Sequence, residues 1–333
     1  MNFTLIVCTY MRPNPLLKLL LSVKSQTLYP EEILIVDGST NNETEAILKE
    51  NKFQNLNYFK VNPEQRGLTK QRNFGISKTA ADAKVICFLD DDTVLEPNYF
   101  EEIIKTYSVF PDALGVGGFI SNESRWEKIP DDYQPTIKDF VYDGWKRTDG
   151  SRFVLRKRLG LDSDAKPGFM PEFSNGRGIG FLPPSGKIYE VEQLKGGVAS
   201  FRKTVFDTFS FSTYFEGYGL YEDADFTFRL SKTGKLYVNT NAQLGHFHDH
   251  SGRPDKFAYG KMVVRNGWYV WRIKFPNPSL KARIKWNLIT LLLAFILVSN
   301  VVAKPKKKEA FSEFLGRITG WLSLITMKKP INE

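Results

Sequence analysis

Short apolar runs and helical stripes alternate along the first hundred residues of the chain. Thr4–Cys8 (TLIVC), Ile33–Val36 (ILIV) and Val85–Leu89 (VICFL) are almost free of polar residues, and Asn57–Val61 is a further strand-like run. Runs of this length with β-branched bulk suit strands buried on both faces of a parallel sheet. Between them, Leu16, Leu17, Leu19, Leu20 and Val23 follow Pro13 and Pro15 at helical spacing. Asn42 is placed to cap a helix over Glu43–Asn51, Gly67 opens one through Gln71–Ser77, and another begins near Pro97. The alternation predicts an α/β fold, a doubly wound, mostly parallel central sheet flanked by helices.

After a short strand around Leu114–Val116 the regularity fails. From Ser121 to about Lys187 the chain is rich in Gly, Pro, Ser and aromatics, including Trp126, Tyr133, Phe140, Tyr142, Trp145, Phe169, Phe173 and Phe181. A segment that long is either disordered or a binding insertion, and its aromatics favour the second. Order returns at Val191–Leu194, Gly196-Gly197 and a helix near Lys203–Phe206. A helix over Glu222–Lys232 and a strand near Leu236–Val238 follow. The expected organisation is one domain over 1–252, with 121–190 as an acceptor-side insertion, and a helical region over 253–333. A chain of 333 residues has room for both.

Charge sharpens this division. Thirteen Lys and Arg residues stand between Arg253 and Lys308 against one acid, Asp255, so the net +9 rests on that segment and the residues before it are slightly acidic. That argues against a nucleic-acid-binding face on the main domain. Cys8 and Cys87 both fall inside apolar runs and read as reduced core residues, which excludes a disulfide framework and points to a reducing compartment. The opening MNFTLIVCTY lacks the basic flank and apolar length of a signal peptide, so the main domain is expected in the cytoplasm.

The central run ends abruptly in Asp90, Asp91 and Asp92. Adjacent carboxylates repel, so stability alone does not place them at a strand end, whereas a divalent cation does. Mg²⁺ and Mn²⁺ take hard oxygen ligands and bridge one or two carboxylates to substrate phosphates. A solvated acidic turn capping the next helix is the alternative. Asp37 ends the second strand, where a nucleotide's base or ribose would lie in a doubly wound sheet. Arg72 and Asn73 follow a glycine at a helix start, a sensible place for an anion. Glu222 and Asp223 open a helix after Gly217-Tyr218-Gly219, as dipole partners or as a general base whose ionised form the helix N-terminus favours. All three histidines, His246, His248 and His250, lie within five residues. Strand geometry spreads them along ~13 Å, so one of them supplementing the carboxylates is more plausible than an all-His site.

CTYMRP, IVDGST, GLTKQRNFG, FLDDDTVLEP, KGGVASFRK, YEDADFTFRLSKTG and LGHFHDHSGR, in that order over about residues 3–253, resemble glycosyltransferase family 2. The resemblance implies the GT-A fold and an inverting transferase using a nucleotide-sugar donor. It implies that Thr9, Asp37 and Arg72 hold the base and ribose, with Tyr10 and Arg12 also on the donor nucleotide. Asp90 and Asp92 would form the D-x-D element, with Asp92 and Asp90 on Mn²⁺ or Mg²⁺ and Asp90 or Asp91 near the ribose. Asp223 would be the base, supported by Glu222. His246 would be a further metal or diphosphate contact. Gly196 and Gly197 would let the backbone approach the donor sugar or acceptor closely. A sugar nucleotidyltransferase would share the sheet and metal logic but want a glycine-rich loop after the first strand, which CTYMRPNP lacks. A non-catalytic sugar-nucleotide binder would not need both acidic motifs.

Leu288–Ala303 is nearly uncharged, and Phe311, Phe314, Leu315, Ile318, Trp321, Leu322 and Ile325 form one helical stripe beyond it. Lysines and arginines flank the run, and four of the six tryptophans lie after residue 267. These features predict a monotopic or re-entrant anchor on an anionic cytoplasmic leaflet, where a glycan or lipid-linked acceptor would be met. A helical subdomain packed on the core is the alternative.

Overall fold

The computed structural model describes residues 1–215, 217–248, 254–303 and 307–327. His250 lies outside the described residues, as do 304–306 of the basic run. Contacts divide the chain into two compact units, one of Met1–Ser124 with Leu182–Gly252 and one of Arg125–Phe181 with Arg253–Glu333.

The first unit opens with β1 (Phe3–Thr9), α1 (Pro13–Lys24), β2 (Glu32–Asp37), α2 (Glu43–Glu50), β3 (Leu56–Lys60), α3 (Leu68–Ser77), β4 (Val85–Asp90), β5 (Thr93–Leu95), α4 (Tyr99–Val109) and β6 (Ala113–Ile120). The chain then contributes β7 (Glu127–Lys128), β8 (Asp139–Tyr142), β9 (Trp145–Thr148) and α5 (Ser151–Arg158) to the second unit. It returns as β10 (Ile188–Val191), β11 (Val198–Arg202), α6 (Glu222–Leu230) and β12 (Lys235–His246). It ends in the second unit with α7 (Lys256–Lys274), α8 (Leu280–Ala303) and α9 (Lys307–Ser323).

In the first unit the described strands form one nine-stranded sheet, β10-β12-β6-β11-β4-β1-β2-β3, with β5 on β12. β1 runs parallel to both β2 and β4, in a register that sets Thr9 beside Asp37 and Cys8 beside Asp90. The three strands therefore end together. Leu5, Ile6 and Val7 are all buried because helices cover both faces. Leu16, Leu19, Leu20 and Val23 are the covering stripe of α1, which starts with Pro13 in its first turn. The sheet is mixed rather than mostly parallel: β11, between the Gly196-Gly197 pair and the predicted Lys203–Phe206 helix, is inserted antiparallel between β4 and β6. Asn42 does hold the N-cap position of α2, but its side chain makes no cap bond and accepts from Lys60 instead. Cys8 and Cys87 are both free thiols.

In the second unit, β7, β9 and β8 make a three-stranded antiparallel sheet that the sequence pattern does not reveal. Strands of two to four residues are too short to show alternation. Its aromatics first build their own core. The Arg177 guanidinium lies 4.3, 4.6 and 5.0 Å from the rings of Phe140, Phe153 and Phe181, and forks onto Asp149 through two 3.0 Å bonds. α7 starts at Asp255, whose carboxylate accepts from the Ala258 amide at 2.9 Å. α9 packs closely on α7 because Gly260, Gly316 and Gly320 face backbone: a Cβ on Gly316 would sit 2.1 Å from the Phe257 carbonyl oxygen. α8 stacks Trp286 on Trp271 of α7 at 5.1 Å, and Asn287 accepts from the Trp321 indole at 2.7 Å.

Candidate active site

The crossovers leave β1 in opposite directions, towards β2 and β3 on one side and β4 on the other, so β1 and β4 flank the switch point where doubly wound sheets open a crevice at their carboxyl ends. The conspicuous polar residues of the first unit converge there. Asp37 is fully buried, with Oδ1 accepting from the Ser39 amide and Oδ2 from the Tyr58 hydroxyl, each at 2.8 Å. The Gln71 amide on α3 donates to the Val36 and Thr9 carbonyls at 2.8 and 3.2 Å, tying the ends of β1 and β2 together. Met11 turns through a positive φ of 59° and its amide donates to Ser39 Oγ at 2.7 Å, while Tyr10 beside it is exposed.

The three aspartates have three environments. Asp91 turns inward, accepting from Thr9 Oγ1 at 2.6 Å, and burial pushes its carboxyl up to about 7 against the pull of Arg12 and Thr9. Arg12 Nη1 lies 3.2 Å from both Asp91 and Asp92. Asp92 Oδ1 is 3.0 Å from His246 Nε2. Asp90 remains partly exposed and faces Arg72 at 3.8 Å. Ligand atoms of Asp90, Asp92 and His246 lie within 4.8 Å of one another, and Asp91 is not among them. Two carboxylates and one imidazole suit a hard divalent cation. His246 reaches this position because β12 pairs with β5, setting His246 opposite Thr93.

The second acidic motif meets the first through Arg72. Its buried guanidinium holds Glu222 Oε1 at 2.5 Å and lies 5.7 and 5.1 Å from the rings of Phe88 and Phe211. Glu222 is buried, its Oε2 has no hydrogen-bond partner among the described residues, and burial pushes its carboxyl up to about 8 despite Arg72. Asp223 is less enclosed, accepting from the Gly196 amide at 3.1 Å and the Ala224 amide at 2.7 Å. The expectation that the helix N-terminus lowers the Asp223 pKa is reversed: desolvation outweighs these amide bonds and raises it. Tyr221 supports α6 from a left-handed conformation, φ 72°, a strained position for a bulky residue of the kind that clusters at functional sites.

Gly196 and Gly197 lie against these groups. A Cβ on Gly197 would sit 2.0 Å from Asp90 Oδ2, and one on Gly196 would sit 2.6 Å from both Arg72 Nη1 and Glu222 Oε1. Only glycine fits, because the carboxylates and the guanidinium occupy the side-chain space.

Residues 4–169, about half of the chain, match the sequence signature described as glycosyl transferase family 2. The chain belongs to glycosyltransferase family 2. Named relatives of this family 2 chain include a glucosyl-dolichyl phosphate glucuronosyltransferase of Haloferax volcanii, 33% identical over 36% of this chain and 38% of its own. Another is the O-antigen chain rhamnosyltransferase RfbN of Salmonella typhimurium, 32% identical over 28% of this chain and 29% of its own. The matched stretch thus spans well under half of either relative. The crystal structure of S. aureus TarS 1–349 superposes with a TM-score of 0.52 at 12% identity, over 97% of this chain and 80% of that one. GalNAc-T7, solved with UDP, GalNAc and Mn²⁺, gives 0.51 at 15% identity over 90% of this chain and 57% of that one. Such likenesses establish the GT-A fold.

Sequence reasoning missed several residues that the structure places among these side chains. Gln71, Tyr58 and Asn122 are polar residues in ordinary helix, strand and turn positions, with no pattern to distinguish them. Glu123 is the clearest omission. Its Oε1 lies 3.2 Å from His246 Nδ1 and 3.3 Å from His248 Nε2, and its Oε2 lies 2.6 Å from Lys195 Nζ. The hydrogen bond with His246 and the neighbouring Lys195 ammonium hold its carboxyl down at about 2. In the sequence it sits in the polar stretch Ser121-Asn122-Glu123-Ser124, at the start of the segment expected to be an acceptor-side insertion, with nothing to single it out.

Proposed function

We propose that the protein is an inverting glycosyltransferase that moves a sugar from a nucleoside-diphosphate sugar to an acceptor hydroxyl in the synthesis of a surface polysaccharide or glycolipid. The observation that carries this reading is the meeting of Asp90, Asp92 and His246 with Arg72, Glu222 and Asp223 at the carboxyl ends of β1 and β4. Two relatives are named for action on an O-antigen chain and on glucosyl-dolichyl phosphate, which supports the acceptor class.

Asp37, Thr9 and Arg12 face the position of the donor nucleotide, with Tyr10 at its rim. Asp91 braces Thr9 and Arg12 from below. Asp92, Asp90 and His246 would hold Mn²⁺ or Mg²⁺, which supplies positive charge against the leaving diphosphate. Asp223 takes the proton of the acceptor hydroxyl as its oxygen bonds to the anomeric carbon; the bond from that carbon to the diphosphate oxygen breaks, and its electron pair leaves with the nucleoside diphosphate. Displacement from the opposite face inverts the anomeric centre. Asp223 suits the role better than Glu222, which is buried against Arg72. Gly196 and Gly197 keep the floor beside the sugar free of side chains. A panel of nucleotide sugars, assayed for nucleoside diphosphate release with and without Mn²⁺, tests the reading. One donor should be consumed in a metal-dependent manner; no release from any donor in the presence of an acceptor extract overturns it.

The second unit is proposed to rest on an anionic membrane surface on the cytoplasmic side. α8 is long and apolar enough over Leu280–Ser299 to cross a membrane. One of its sides, however, carries the Trp286 and Asn287 contacts and a bond from Lys285 Nζ to the Asp162 carbonyl at 3.0 Å. Its opposite side exposes Ile284, Leu288 and Phe295, and α9 exposes Phe311, Leu315 and Leu322. Two half-packed helices with exposed apolar stripes and basic neighbours fit an in-plane arrangement. Truncating at Leu280 would remove Trp286 from the core of the unit, so point variants are the cleaner test. Leu288→Glu with Phe295→Glu should lower binding to anionic vesicles at least tenfold, since each buried side chain of this size contributes ~1.5–3 kcal/mol. Unchanged cosedimentation would show that this face does not meet lipid.

A further inference from the structure

We propose that Asn122 and Glu123, in the turn after β6, are positioning residues that hold His246 in its ligating orientation. The assignment rests on the metal reading given above and concerns how one ligand is kept in place.

His246 ends β12 and needs two kinds of restraint, one on its backbone and one on its ring. Asn122 supplies the first. Its Oδ1 accepts from the His246 amide and its Nδ2 donates to the His246 carbonyl, both at 2.9 Å, so one side chain clamps both polar backbone groups. Glu123 supplies the second. Its Oε1 sits 3.2 Å from Nδ1, while Nε2 on the other side of the ring points at Asp92 Oδ1, 3.0 Å away. An ionised carboxylate only accepts, so it selects the tautomer with the proton on Nδ1 and leaves the Nε2 lone pair for a cation. Carboxylates placed behind ligating histidines in this way fix ring and tautomer together.

Glu123 is itself fixed. Lys195 Nζ holds its second oxygen at 2.6 Å, and His248 Nε2 approaches the first at 3.3 Å. Lys195 immediately precedes Gly196, so the chain that supports the imidazole also sets the backbone against which Asp223 and Asp90 rest. An isolated exposed ion pair would contribute little. Here the pair is tied at both ends to groups of the site, and its effect should appear in metal affinity rather than in global stability.

The test uses the full-length protein and Mn²⁺ alone, with free Mn²⁺ followed by electron paramagnetic resonance. Glu123→Ala and Asn122→Ala should each weaken Mn²⁺ binding by about 10–100-fold, the usual effect of losing a residue that supports a metal ligand. Glu123→Gln keeps an acceptor for Nδ1–H and should retain most of the affinity, a rescue that a general packing defect would not show. Saturating Mn²⁺ should restore the turnover of Glu123→Ala. Wild-type Mn²⁺ affinity in Glu123→Ala overturns the assignment, and so does a loss that neither Gln nor excess Mn²⁺ relieves. Should Glu123→Ala not fold, Lys195→Met reads the same chain and must weaken Mn²⁺ in the same direction. Asp92→Asn separates the two levels. If it loses Mn²⁺ binding while the Glu123 variants do not, the positioning role alone is wrong. If it too binds normally, the metal reading fails and the assignment fails with it.

Discussion

Asp223→Asn should lower sugar transfer by about 10²–10⁴-fold, the range that a positioned general base contributes, while donor affinity stays near that of the unsubstituted protein. The side chain is nearly isosteric, and the Asn carbonyl can still accept from the Gly196 or Ala224 amide, so α6 should keep its position. Because burial raises the Asp223 carboxyl above the ordinary aspartate range, the base is lost to protonation earlier than an exposed aspartate would be as pH falls. Transfer by the unsubstituted protein should therefore decline on the acid side through that raised pKa, and the Asn variant should lack this limb. Glu222→Gln should behave differently. It weakens the buried partner of Arg72, so the loss should appear in donor KM more than in kcat. Equal loss of donor binding and transfer in Asp223→Asn would place Asp223 in the nucleotide site and require another base.

The legible parts of the fold were those where one physical demand dominates the sequence. β1, β2 and β4 are buried on both faces, so nearly every residue must be apolar and the strands announce themselves. Three adjacent carboxylates at the end of β4 are conspicuous because they repel. Where demands mix, the signal faded. β12 spans Lys235–His246, but only Leu236–Val238 reads as strand, because Asn239, Thr240, Asn241 and Gln243 follow. Asn239 and Thr240 are buried and satisfied by distant partners: Asn239 donates to the Glu102 carbonyl at 3.1 Å and to Thr106 Oγ1 at 3.0 Å, and Thr240 donates to the Lys187 carbonyl at 2.8 Å. A register shift between Val238 and Gln243 then carries the strand on to β5. No local pattern encodes those bonds, so the route that brings His246 to Asp92 could not be read from the chain.

The roles within the acidic triplet were illegible for a related reason. Asp90, Asp91 and Asp92 are chemically alike, and only their surroundings separate them. Thr9 and Arg12 draw Asp91 inward, whereas the side-chain space left empty by Gly197 belongs to Asp90. Both determinants come from segments some eighty or more residues away in the chain. The tail posed the opposite problem, since its apolar stripes were plain but which face would be covered was not. Gly316 and Gly320 decide it for α9 by turning that face to the α7 backbone, leaving Leu315 and Leu322 exposed.

Asp92→Asn should reduce Mn²⁺-dependent binding of a nucleoside diphosphate by ~100-fold or more, exceeding the effect of removing a supporting residue because a charged ligand itself is lost. The fold should survive. Arg12 keeps its contact with Asp91 at 3.2 Å, and His246 keeps Glu123 on its other nitrogen. Neutralising Asp92 also removes repulsion from Asp90 and Asp91, so thermal stability without metal should hold or rise even as metal binding falls. Opposite movement of these two quantities distinguishes a ligand from a structural carboxylate. Calorimetry of nucleoside diphosphate binding with and without Mn²⁺, alongside melting temperatures without metal, measures both. Unchanged Mn²⁺-dependent affinity would remove Asp92 from the metal site. A matched fall in affinity and melting temperature would instead make its bonds to Arg12 and His246 structural, leaving Asp90 as the candidate carboxylate for the cation.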